Sequence, residues 1–235
     1  LFSPDRRGVA RIVFVVLSLK DAVMKFWSGL AATALALAIS PFAPATAQSG
    51  SSQNLGDEAV FLVAAPGFRD PEYRQTVLIA SPTANGGHVG VILNRPTRRS
   101  LASLFPEHEP SKKVVEPVFF GGPFSTTALV AVVKGESSPG AGSLLMMSNL
   151  YLAINVNTID RIIEERPNDA RYYVGYVGWR PGELRREIDR GLWFVLNPNV
   201  DTIFRKDTDV LWEEMLRMAR QINAAAPASA AVARY

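Results

Sequence analysis

The chain of 235 residues contains no cysteine, which removes thiol nucleophiles, thiolate metal sites and disulfides together. Histidine is almost as scarce, with only His88 and His108. His88 falls in an apolar stretch directly after a tight turn and reads as a packed or edge-exposed imidazole. His108, in Pro106-Glu-His-Glu-Pro110, reads as solvated surface. Neither sits in an H-E-x-x-H or other zinc spacing. The G-x-S-x-G elbow of serine hydrolases, the P-loop and the dinucleotide glycine fingerprint are also missing. No catalytic set, metal or cofactor is expected from these patterns.

Net basic charge is lacking as well, once its location is considered. The formal charge is +3, but residues 1–47 hold five basic side chains (Arg6, Arg7, Arg11, Lys20, Lys25) and two acidic ones (Asp5, Asp21). The remainder is therefore neutral, without the basic footprint that phosphate contacts leave, and nucleic acid is not the favoured partner.

What is present begins with an N-terminal leader. Met24-Lys25 precedes the apolar run Phe26 to Ile39, followed by Pro41 and Ala45-Thr46-Ala47. That order is expected of a secretory signal peptide over 24–47, cut after Ala47. The apolar run is short for a membrane span, which needs about 20 residues, so membrane contact is expected only through this transient segment. Periplasmic or secreted localisation follows as an expectation, with the cytosol as the alternative if the segment is not processed. Residues 48–57 are a polar Ser/Gly lead-in, 58–222 a single domain, and 223–235 an Ala-rich tail expected to fray.

Within 58–222 strands dominate. Residues 59–65, 76–80, 88–93, 117–120, 128–133, 172–177 and 192–196 are apolar or β-branched runs bounded by turn residues. Asn85-Gly86-Gly87 predicts a hairpin between the second and third. Helical periods predict helices over 100–105, 158–166, about ten residues from Pro181 to a stop at Gly191, and 207–222. No glycine-rich β-to-α turn opens the chain, so the fold class is α+β rather than a doubly wound nucleotide fold.

Three places could carry binding chemistry. Asn94-Arg95 ends a strand, where an amide and a guanidinium can hold a carboxylate or phosphate. They can equally tie the strand end to nearby backbone. Gly121-Gly122-Pro123 could present amides to an anion, or be a sharp turn. In Gly175-Tyr-Val-Gly-Trp-Arg-Pro-Gly-Glu-Leu184, the side chains of Tyr176, Trp179 and Arg180 could wall a pocket, or pack at a strand-to-helix corner.

Four segments resemble the YqgE/AlgH family of bacterial proteins: Pro66-Gly67-Phe-Arg-Asp70-Pro71 running to Thr76-Val77, Gly90-Val-Ile-Leu-Asn94-Arg95-Pro96, Gly121-Gly122-Pro123, and Gly175-Tyr-Val-Gly-Trp179 with Pro181-Gly182-Glu183-Leu184. The resemblance implies a strand-rich single domain whose bifurcated sheet curls into a pseudo-barrel with flanking helices. It brings no established catalytic residues, and only a transcriptional-regulator label on some members. Members are usually cytosolic and tend to carry Ala where His88 stands here. Three functional readings follow: a non-catalytic binding or regulatory module of the cell envelope with a protein or small-molecule partner; a ligand binder or enzyme with a cleft at Asn94, Arg95, Gly121 to Pro123 and Trp179; and, last, a DNA-linked regulator.

Overall fold

A computed structural model describes residues 58–231; the expected signal segment and lead-in lie outside the described residues. Ten strands form one continuous forked sheet: β1 (Val60–Ala64), β2 (Val77–Pro82), β3 (His88–Ile92), β4 (Pro96–Ser100), β5 (Pro117–Phe120), β6 (Phe124–Lys134), β7 (Ser143–Met147), β8 (Leu150–Ala153), β9 (Ala170–Trp179) and β10 (Trp193–Leu196). Among the described residues the helices are α1 (Leu101–Leu104), α2 (Val156–Glu165), α3 (Glu183–Asp189), α4 (Val200–Ile203) and α5 (Leu211–Ala231), with a 3-10 turn at Glu109–Lys113.

The fork lies in β9. Its first half pairs antiparallel with β6, through Ala170↔Val133 to Val174↔Leu129. The other edge is divided: Tyr173 and Val174 pair parallel with β5, and Val177 to Trp179 pair antiparallel with β3. One arm therefore runs β3-β2-β1-β10, and the other holds β5 and β4. A strand that serves three neighbours is buried on both faces, which is why 172–177 carries an unbroken apolar run.

Three apolar clusters follow from the period-2 alternation of the strands. Phe61, Val63, Ile79, Val91, Val132 and Tyr173 face the main core, closed by Leu211, Met215 and Leu216 of α5. The opposite face of β1 to β3, with Leu62, Leu78 and Ile92, joins Trp179 and Trp193 under Leu184 of α3. Ile159, Ile162 and Ile163 of α2 cover Ala131, Val133 and Tyr172.

Several boundaries depart from expectation. The helix after β9 begins at Glu183, not Pro181, because Gly182 is left-handed (φ +75°) at the N-cap. Its end matches a Schellman stop, with Gly191 left-handed (φ +71°), Gly191 N–H donating to Ile188 and Leu192 N–H to Glu187. Helix α2 starts early, at Val156, because Asn155 Oδ1 accepts from the amides of Asn157 and Thr158. Helix α5 continues to Ala231, beyond the expected end at 222, through an alanine tract of high helix propensity. Strands β4, β7 and β8 were not legible as strands. β4 is the polar stretch PTRRS on an edge, and β7 and β8 form a hairpin whose tight turn places non-glycine Asn149 at φ +63°.

Candidate functional site

The residues singled out from sequence are occupied mainly in holding backbone and turns at or near the fork. Gly121 lies between the two arms: its N–H donates to Val174 O of β9 (2.9 Å) and its carbonyl accepts from Ile92 N of β3 (2.9 Å). A Cβ on Gly121 would meet Gly175 O at 2.3 Å, and one on Gly175 would meet Gly122 O at 2.2 Å. Gly122, at φ +151°, would in turn place a Cβ 2.4 Å from Tyr176 O. Two glycine segments thus cross backbone against backbone, a separation that side chains would not permit. The Gly121 amide is already committed to Val174, so this turn serves the seam of the sheet.

Asn94 and Arg95 act at the neighbouring strand end. Asn94 Oδ1 accepts from Val77 N (2.9 Å) and its Nδ2 donates to Gln75 O (2.9 Å). Arg95 Nη2 donates to Pro71 O (3.1 Å) and Arg74 O (3.2 Å). Burial, with Arg74 beside it, lowers the Arg95 pKa from its ordinary value, opposed by Glu72 and Asp70. Together the pair clamps the Asp70-to-Gln75 turn, where Gln75 itself adopts φ +56°.

Trp179 leaves on the opposite face from Tyr176. An odd spacing in one strand requires this, and Trp179 packs in the cluster beneath α3 while Tyr176 contacts the main core. The Trp179 and Trp193 indoles both donate to Glu187 Oε2, at 2.9 and 2.8 Å. Arg180 is exposed, and its backbone N–H donates to Glu183 Oε2 (2.8 Å), fixing the turn into α3. Tyr176 and Trp179 therefore do not share one wall with Asn94 and Arg95.

Tyr176 instead lines an apolar groove of about 380 Å³, with Val89, Val130, Leu144, Leu152 and Ile154 among its other walls. Its ring stacks on Phe124, centroids 6.2 Å apart, and both Phe124 and the groove-lining Ile154 are about half exposed. The hydroxyl oxygen of Ser143, also in the lining, is buried without a hydrogen-bond partner. A wider hollow of about 450 Å³ along α5 is lined, among the described residues, by that one helix, which cannot enclose a ligand by itself.

A second assembly was invisible in the sequence. His108 is not a solvated surface residue: its side chain is 12% exposed and its Nε2 lies 3.3 Å from Asp160 Oδ1 of α2. Its Nδ1 contacts the Oγ of fully buried Ser111 at 2.6 Å. Glu164, one helical turn beyond Asp160, offers a carboxylate to the same point, and the ligand atoms of all three lie within 4.8 Å of one another. Burial raises the Asp160 pKa, with His108 opposing and Glu164 adding to the rise.

Elsewhere, Arg171 is a fully buried cation. It bonds Glu116 Oε2 (2.7 Å), Ile203 O (2.7 Å) and Arg205 O (2.9 Å), with its guanidinium 4.4 Å from the Phe119 ring centroid.

These features define a class: a cysteine-free α+β domain with a forked, curled sheet, whose most distinctive residues hold the fork together. The chain belongs to the AlgH-like family (DUF179), whose model matches residues 61–222. A UPF0301 protein of Thermobifida fusca is 33% identical over 165 residues, covering 66% of this chain and 83% of that protein. One from Thioalkalivibrio sulfidiphilus is 32% identical over 162 residues, covering 65% and 84%. Among solved structures, a Corynebacterium diphtheriae protein matches with TM-score 0.58 at 21% identity, over 70% of this chain and 88% of that one. The solution structure of AlgH from Pseudomonas aeruginosa matches with TM-score 0.54 at 22% identity, over 76% and 90%. At these identities the structural likeness establishes the fold.

Proposed function

We propose that this protein is a non-catalytic binding module of the cell envelope, exported by the segment at 24–47, which holds a small amphipathic molecule in the groove beside Tyr176. The groove carries this reading. Its volume of about 380 Å³ falls within the range of roughly 300–1,000 Å³ typical of small-ligand pockets. Its walls come from β3, β6, β7, β8 and β9, so the forked sheet itself shapes it. The lining offers apolar side chains and the hydroxyls of Thr83, Ser143 and Tyr176, without a carboxylate or imidazole. An apolar body with one polar group directed at Ser143 suits this chemistry, since that hydroxyl otherwise lacks a partner.

The test uses an anilinonaphthalene sulfonate probe, followed by fluorescence titration. Saturable one-to-one binding that Leu144→Asp abolishes, and that Val115→Ala at a remote exposed site leaves intact, supports the reading. Equal binding by the folded Leu144→Asp protein overturns it. Cell fractionation with N-terminal sequencing tests export separately: a chain recovered uncut in the cytosol removes the envelope assignment.

A further inference from the structure

We propose that His108, Asp160 and Glu164 form a three-ligand site for a divalent transition-metal cation of the zinc type, an assembly separate from the groove.

Ser111 Oγ lies 2.6 Å from His108 Nδ1 and is fully buried. The tautomer that binds a metal has Nδ1–H donating to that oxygen, and it leaves the Nε2 lone pair facing Asp160. Metal-binding imidazoles are oriented in this way by a hydrogen bond at the other ring nitrogen.

Ligands held at about 2.0–2.2 Å from a tetrahedral ion lie roughly 3.3–3.5 Å from one another. His108 Nε2 and Asp160 Oδ1 are already 3.3 Å apart. Glu164 follows Asp160 by four residues, which puts both carboxylates on one face of α2. It is exposed, so its side chain is free to rotate toward the other two within the 4.8 Å cluster.

Asp160 Oδ1 is buried and makes no hydrogen bond despite its closeness to His108. A divalent cation held between Nε2 and Oδ1 replaces the Nε2 proton and gives both atoms a partner. Neutral imidazole with two carboxylates gives a site charge of −2, matched to a divalent ion. One nitrogen and two oxygens form a donor set that zinc accepts, with a fourth position left for water.

The chain itself favours a clear experiment, because it has no cysteine and only one other histidine. Tag-free protein, stripped with chelator, is titrated with zinc sulfate against a chromophoric competitor, and thermal unfolding is recorded with and without zinc. The expected result is one equivalent bound, a zinc-dependent rise in melting temperature, and a shift of the His108 Nε2 resonance. His108→Gln abolishes uptake, Glu164→Gln weakens it, and Ser111→Ala, acting through ring orientation, weakens it by about tenfold or more. Absence of stoichiometric uptake, or uptake unchanged in His108→Gln and Glu164→Gln, overturns the site and leaves a plain His108–Asp160 ion pair. If His108→Gln fails to fold, the exposed Glu164 variant decides.

Discussion

Gly121 and Gly175 meet backbone to backbone at the fork, close enough that a Cβ on Gly121 would lie 2.3 Å from the Gly175 carbonyl oxygen. The contact joins two of the four segments that mark the family. Asn94 and Arg95 join the other two, through Val77, Gln75, Pro71 and Arg74. In this chain the four segments that carry the resemblance therefore form two clamps: one sets where the sheet divides, the other fixes the turn leading into β2.

Gly121→Ala is expected to destabilise the domain by about 2–4 kcal/mol, since the obstructing atoms belong to backbone and cannot rotate away. Gly178→Ala is the matched control. Its added Cβ would meet nothing nearer than Tyr176 Cε2 at 3.8 Å, and denaturant midpoints should place it near wild type. Equal midpoints for the two variants would remove the close approach as the reason for the glycine.

Asn94→Ala removes the acceptor of the buried Val77 amide as well as the bond to Gln75 O. A cost of about 1–3 kcal/mol follows from leaving that N–H unsatisfied. Asn94→Asp keeps the acceptor but places a charge against Gln75 O, so it should be destabilised too. Neither variant should alter probe binding in the groove, because Asn94 does not line it. Urea unfolding alongside probe titration separates the two effects.

Arg171 carries the largest electrostatic consequence. Arg171→Met leaves Ile203 O, Arg205 O and the Glu116 carboxylate without their donor. Removing one partner of a buried ion pair costs about 3–5 kcal/mol; Glu116 is 29% exposed and can turn to water, so the lower end is expected. Arg171→Lys should recover only part, because an ammonium cannot reproduce the guanidinium fork. The measurement is equilibrium unfolding, combined with amide exchange at 203–205, where protection should fall.

Strand alternation and turn residues made most of the fold legible, including the β2–β3 hairpin and the glycine stop after α3. The misses share a cause. β4 and the β7–β8 hairpin are defined by their pairing partners rather than by their own composition, and Arg171 sits in a strand whose apolar run hides it. Four of the seven site candidates, Gly121, Gly122, Asn94 and Arg95, gather at or beside the fork. Trp179 could have been separated from Tyr176 by parity alone, since three residues along a strand reverse the face. The groove draws on five strands, and His108 meets Asp160 across 52 residues of sequence. Such contacts leave no local spacing to read.

His88 supplies the pH test. Its Nδ1 is buried without a partner, and burial lowers its pKa below the ordinary value of 6.5. The unfolded chain therefore binds a proton at a higher pH than the folded one. Stability attributable to this residue is intact above about pH 6.5 and declines as pH falls below it, levelling off once the folded imidazole also protonates. His88→Ala should flatten the stability profile across that window while leaving the melting temperature at pH 8 nearly unchanged. The residue pairs with Trp179 at the start of β3, so the variant also tests whether this part of the fork tolerates a smaller side chain. An unchanged slope between pH 5 and pH 7 in thermal unfolding would assign the acid sensitivity to other groups.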